Sequence, residues 1–278
     1  MFTQALLNAT YKDGRIGTLT AAHEKAEHHR FKKDYLFKNT KIPKDLYALR
    51  LIQHLLIIKA IESRLQRLRP DEQSDISAFF SLSYLTHLWR TPGMEKDLEQ
   101  LEIDSTAIPA SAITHSTQEY LKRIEKLPPK MLLAHFLVHV AGFMHGGNII
   151  LSKYIAPSNR LTTYQIPTCQ YDFSEALAHI DERRKTPIAV YQDMMRQVDQ
   201  IPLSSEEYQD ILNQCTGIYD TMAAIYDDLC AMQLKQKKVG KVAALVVISI
   251  VALSVIIELL SGSLSEGYSL ASYLKPGI

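Results

Sequence analysis

The sequence predicts an all-α protein: a multi-helix domain followed by one C-terminal transmembrane helix. Three observations carry that reading. Apolar residues recur at spacings of three and four through most of residues 1–234. No alternating strand pattern around an Asn-Gly or Asp-Gly turn appears. Residues 242–260 read VAALVVISIVALSVIIELL, with Glu258 as the single charge.

The first element is a charged helix through Ala22–His29. Next comes a long helix over Asp45–Leu68, where Leu46, Leu49, Ile52, Leu56, Ala60 and Leu65 make one stripe and Pro70 closes it. A third is predicted through Ser74–Trp89, ended by Thr91-Pro-Gly. Another begins near Ser116 and stops before Pro128-Pro129. Proline suits a helix start, so Lys130–Tyr154 follows, ended by Pro157. Asp172-x-x-Glu175 has the form of a capping box opening a short helix. Ser204-x-x-Glu207 opens the last long helix, to about Leu234. Seven to nine helices result, with a loose connection near Ser158–Gln170.

The domains are then 1–234 helical, 235–241 a basic juxtamembrane linker, 242–260 the anchor and 261–278 a short tail. Nineteen helical residues at ~1.5 Å each span roughly the ~30 Å of a bilayer core. Lys235, Lys237, Lys238 and Lys241 precede the run, while the tail carries one Glu and one Lys. That asymmetry faces the main domain to the cytoplasm. MFTQALLNATYKDGR lacks the basic start and apolar stretch of a signal peptide.

Composition excludes several classes. The 31 Lys and Arg against 30 Asp and Glu leave no basic excess to bind a nucleic acid. Cys169, Cys215 and Cys230 form no C-x-x-C pair, which removes a thiolate zinc site and a disulfide framework.

Chemistry concentrates in two segments. In Ala22-His23-Glu24-Lys25-Ala26-Glu27-His28-His29, His23 and Glu27 stand four apart and share a helix face. A carboxylate there can hold Nδ1–H and free Nε2 for a metal. The same residues also read as a solvated charged helix, with His28 and His29 exposed. The second segment runs from His135 through His139 to Gly142-Phe143-Met144-His145-Gly146-Gly147. Glycines inside a helix cost about 1 kcal/mol each. They are kept where another helix or a flat cofactor must approach the backbone, and they permit a kink.

Over most of residues 15–230 the sequence resembles the haem oxygenase family. The resemblance lies in His23-x-x-Ala26-Glu27, in Arg90 through Asp97-Leu98 with Met94 where Leu is usual, in Glu119–Ile124, in Leu132-Leu133-Ala134-His135, and in Gly142 with Gly146-Gly147. It implies an α-helical fold in which His23 is the axial ligand and Glu27 orients it. It also implies that Gly142 and Gly146 let the distal helix lie over the haem. The implied reaction opens haem to biliverdin, carbon monoxide and ferrous iron. Electrons would come from an external donor, a reductase or ferredoxin. A C-terminal anchor is a feature of the eukaryotic members.

Two departures qualify it. The family's Gly-Asp-x-Ser-Gly-Gly is here Gly142-Phe143-Met144-His145-Gly146-Gly147, and loss of the aspartate weakens proton delivery. His139 stands where the family commonly has arginine and is the expected polar group for the distal pocket. The family's propionate-binding residues are two basic groups before the axial histidine, a tyrosine on the distal helix and a Lys/Arg pair on a later helix, and they correspond to Thr20, Ile16, Leu137, Ile188 and Gln192. Arg15 and Arg183 are the nearest replacements. The alternatives are a non-catalytic haem-binding or interaction protein, and a non-haem di-iron oxidase using Glu62, His139, His179 and Asp181.

Overall fold

Phe2, Ala5, Leu6 and Ala9 repeat at helical spacing and are all buried, which forms and seats helix α1, Phe2–Thr10. The computed structural model describes residues 1–38, 41–68, 75–180 and 186–234. After α1 the chain turns at Asp13-Gly14. Gly14 has φ of 60°, and a Cβ there would meet Asn8 Oδ1 at 2.0 Å. The turn sets the one isolated bridge among the described residues, Tyr11 to Leu19. Thr20 then caps α2, Ala21–Glu27, by accepting from His23 N. Its hydroxyl also donates to Ala9 O at 2.7 Å, tying α2 to α1.

A π-wound turn, Phe31–Leu36, buries Phe31 and Leu36. Helix α3, Lys44–Leu68, follows as expected. It packs against three helices, α5 (Thr91–Gln100), α6 (His115–Ile124) and α7 (from Pro129). That central place explains why α3 buries polar side chains, including Arg50, Gln53, His54 and Glu62. Of the expected stripe, Leu46, Ile52 and Leu65 are buried and Leu49, Leu56 and Ala60 half-buried.

The single helix expected through Ser74–Trp89 is instead two short pieces, α4 (Ser77–Phe80) and a 3₁₀ turn (Leu85–Leu88). Phe79, Leu82, Leu85 and Leu88 are buried at strict three-residue spacing, a repeat that suits 3₁₀ winding better than α. Thr91-Pro-Gly starts a helix rather than ending one. Pro92 sits in the first turn of α5, where no N–H is missed. Thr114 caps α6 by accepting from Thr117 N at 3.1 Å.

Helix α7 runs from Pro129 to Asn159, beyond the expected stop at Tyr154. It is α-helical over Pro129–Ala141, and π-wound over Gly142–Gly146 and again over Leu151–Ile155. The second π turn restarts the ladder so that Pro157 falls in a first-turn position, where its missing N–H costs little. This helix is long and apolar enough to cross a bilayer, but 61% of its apolar window is buried within the protein.

Helix α8 is Ser174–Ala178. Its expected capping box does not close. Asp172 accepts from Ser174 N, while Glu175 bonds His87 Nδ1. Helix α9, Pro187–Val198, carries Ile188 and Gln192 and is capped by Thr186. Helix α10 covers 205–234. Its capping box is complete: Ser204 N donates to Glu207 Oε2 at 2.8 Å, and Glu207 N to Ser204 Oγ at 3.1 Å. Met1–Leu229 form one packed unit. The linker 235–241, the apolar run 242–260, the tail 261–278 and both Asp181 and Arg183 lie outside the described residues.

Candidate functional site

His23 projects from α2, half-buried. Its Nδ1 lies 3.3 Å from the carbonyl oxygen of Thr10, the last residue of α1. A carbonyl only accepts, so Nδ1 carries the proton and Nε2 keeps its lone pair. Burial, the largest influence, lowers the imidazole pKa, which favours this neutral form. The ring is stacked on Tyr219 of α10, with centroids 4.4 Å apart and planes 16° from parallel. Thr10 also holds Tyr219. Its hydroxyl donates to Leu6 O at 2.7 Å and therefore accepts from the Tyr219 hydroxyl at 2.9 Å. One residue of α1 thus fixes the tautomer and braces the ring that His23 lies against.

Glu27 does not take the orienting role expected of it. Helix α2 is only seven residues long. Glu27 at its end is exposed and reaches Lys32 at 3.5 Å. The neighbouring histidines also differ from each other. His28 is exposed and pairs with Glu24 at 2.8 Å. His29, expected to be exposed, is buried between Asp227 and the Phe31 amide.

The glycines of α7 divide by function. A Cβ on Gly147 would come within 2.6 Å of the Tyr171 ring, so Gly147 serves close packing. A Cβ on Gly142 or Gly146 would meet nothing within 4 Å. These two line open space, and the π winding between them is the local irregularity that paired glycines allow. His145 sits in this turn, exposed, 5.5 Å from the Tyr191 ring of α9. Tyr191 is half-buried, and desolvation raises its phenol pKa. A ring pair thus stands on each side of the site, His23 on Tyr219 and His145 against Tyr191. Neither tyrosine, nor Thr10, was singled out from the sequence.

Phe143 turns inward. It is 5% exposed, with its ring 6.1 Å from His54 and 6.2 Å from Tyr171. His139 is buried too. Its Nε2 meets the Tyr120 hydroxyl at 3.2 Å. The same hydroxyl lies 2.7 Å from His135 Nδ1, and His135 Nε2 lies 3.1 Å from Gln214 Oε1. Burial holds His139 at a pKa of about 4 and, against a raising bond from Gln214, His135 at about 3.

The Heme oxygenase family model matches residues 15–228. The chain belongs to the haem oxygenase family. It is 25% identical over 211 residues to Heme oxygenase 2 of Rattus norvegicus, covering 75% of this chain and 62% of that protein. It is 26% identical over 132 residues to Heme oxygenase 2 of Oryctolagus cuniculus, covering 46% and 40%. The chain thus spans less than two thirds of the length of these curated relatives. Among solved structures, heme oxygenase-1 of Synechocystis in complex with heme superposes with a TM-score of 0.64 at 19% identity, over 88% of this chain and 99% of that one. Heme oxygenase of Leptospira interrogans gives 0.60 at 20% identity, over 81% and 98%. At these identities the structural likeness speaks for the haem oxygenase fold.

Within that fold the Arg90 and Asp97 pattern is structural. Arg90 lies over the Phe173 ring at 4.0 Å and bonds Leu88, His87 and Asp172 carbonyls. Asp97 accepts from Cys169 N at 2.7 Å and Gln170 N at 2.9 Å. Together they fix the loop that carries Tyr171 against Gly147. The positions matched by sequence to the propionate contacts of haem oxygenases hold neither a cation nor a tyrosine. Thr20 is a cap, Leu137 is buried, and Ile16 and Ile188 are exposed apolar groups. Arg15 is exposed. Of the residues offered for two irons, the three that are described do not converge. Glu62 accepts the Arg90 and Thr91 amides, His139 holds Tyr120, and His179 stacks on His87 at 4.9 Å. Among the described residues no three metal-ligating groups come together.

Proposed function

We propose that this chain binds haem between α2 and the glycine turn of α7 and opens it oxidatively to biliverdin, carbon monoxide and ferrous iron. The observation that carries the reading is His23: Nδ1 is committed to Thr10, so Nε2 is free to ligate. Haem, when bound, supplies the redox-active iron and the ring that is cut, while electrons come from a separate reductase or ferredoxin. Thr10 and Tyr219 hold the imidazole in one tautomer and one plane. Gly142 and Gly146 leave a face flat enough for a porphyrin. Phe143 brings no proton donor, and His139 Nε2 is engaged by Tyr120. Turnover is therefore expected to be slow.

That same absence of a carboxylate at Phe143 favours a second reading, a haem-binding or interaction protein without turnover. The two separate on one experiment. The full chain, purified in detergent and loaded with haemin, is given ascorbate under air. Loss of the Soret band with release of carbon monoxide supports the enzyme, whereas a stable Soret band supports the second reading.

The run 242–260 with its lysine flank is read as a membrane anchor that leaves the helical domain on the cytoplasmic side. Resistance of the full chain to alkaline extraction from membranes, lost on deleting 242–278, tests this.

A further inference from the structure

Arg50 lies buried on α3, 4% exposed, and its Nε and Nη1 have no hydrogen-bond partner. The groups around its guanidinium are the phenols of Tyr171, Tyr226 and Tyr47, which carry no charge near neutral pH. One turn along the same face stands His54, 8% exposed, whose Nδ1 is also unpartnered. Its Nε2 faces the Tyr226 hydroxyl at 3.5 Å. When that hydroxyl donates to Nε2, Nδ1–H is left as a donor. Tyr171, 7% exposed, sets its hydroxyl oxygen toward the guanidinium, and its O–H has no acceptor. Phe143 touches both His54 and Tyr171 and so marks their common neighbourhood.

Buried polar groups in folded proteins are almost always satisfied, and a buried cation without a counter-charge is the least tolerable exception. Guanidinium donates only, and the phenol and imidazole beside it have donors to spare. What this cluster lacks among the described residues is an acceptor that bears negative charge. The unpartnered acceptor nearby in sequence, Gln170 Oε1, belongs to a neutral amide whose nitrogen is fixed on Tyr47 at 2.9 Å. Water would complete hydrogen bonds but leave the charge uncompensated.

We infer that Arg50, His54 and Tyr171 form a buried site for one small monovalent anion, a halide or a short carboxylate. Arg50 supplies the charge, and Tyr171 and His54 supply directed donors. The site shares no residue with the haem ligand or the open glycines, and its test uses no haemin, so the two proposals stand or fall separately.

The test follows the thermal midpoint of the full chain in neutral detergent as chloride or formate replaces gluconate at constant ionic strength. The expected result is a saturable rise of several degrees with either small anion. Arg50→Met should abolish the response, and Tyr171→Phe should raise the half-saturating concentration about tenfold. An equal midpoint in chloride, formate and gluconate would overturn the site, as would an Arg50→Met protein that keeps the response. If Arg50→Met does not fold, an unchanged half-saturation in Tyr171→Phe overturns it equally. Chloride-35 line broadening by the wild type, relieved by formate, is the expected direct signal, and its absence contradicts the proposal.

Discussion

The carbonyl oxygen of Thr10 accepts from Nδ1 of His23 at 3.3 Å, and this contact decides which nitrogen faces a ligand. The Tyr219 ring, held by the same threonine, decides the plane. Partners that orient a ligating imidazole are commonly worth 10- to 100-fold in affinity. Tyr219→Leu is therefore expected to weaken haem affinity by about tenfold while leaving the ligand unchanged. Haemin titration of the two proteins checks it, and equal affinity would remove Tyr219 from the site.

The three glycines of α7 should respond with opposite signs. Gly147→Ala drives a methyl into the Tyr171 ring and should cost ~1–3 kcal/mol, as overpacking does. Gly142→Ala meets nothing within 4 Å and should gain up to ~1 kcal/mol from helix propensity. Denaturant midpoints measure both. Equal destabilisation would mean that Gly142 also packs.

The pH dependence of stability has a definite direction. His135 and His139 titrate near 3 and 4 in the folded protein because of burial, and near 6.5 when unfolded. Between those values the unfolded chain takes up protons that the folded one refuses. Stability is thus full above pH ~6.5 and falls as pH drops toward ~4, with a slope for the pair of roughly 2–3 kcal/mol per unit near pH ~5. Unfolding curves across this range, for wild type and a His135→Gln, His139→Gln double variant, test it. The double variant should show the flatter profile, and identical slopes would refute the assignment.

Tyr120 joins the two buried histidines through one hydroxyl. Tyr120→Phe keeps the ring under Arg123, 4.7 Å away, but strands two imidazole nitrogens. A loss of ~1–3 kcal/mol is expected, with haem affinity unchanged. Chemical denaturation and haemin titration together would reveal whether this network instead belongs to the ligand site.

Much of this was legible in the residues, and the failures have physical causes. The long stripe of α3 announced that helix, and the Ser204 and Glu207 box announced α10. Helix α1 carried a readable signal in Phe2, Ala5, Leu6 and Ala9, yet its importance lies in Thr10, a backbone acceptor that no side-chain motif encodes. Glu27 was the natural choice for that role by spacing. It lost to a carbonyl because contacts between elements, not the step along one helix, set the neighbours of His23. Gly142, Gly146 and Gly147 look alike in sequence, and only the position of Tyr171 tells packing from openness. The π winding shifts residues off the ordinary helical phase, so rotation angles counted along α7 do not hold across Gly142–Gly146.

The most direct measurement is a haemin titration of the full chain in detergent, wild type against His23→Ala. Wild type should give a saturable Soret band of imidazole-ligated haem. His23→Ala should lose it and recover it on addition of free imidazole. A wild type with no band, or a His23→Ala spectrum identical to wild type, would contradict the assignment of His23 Nε2 as the ligand.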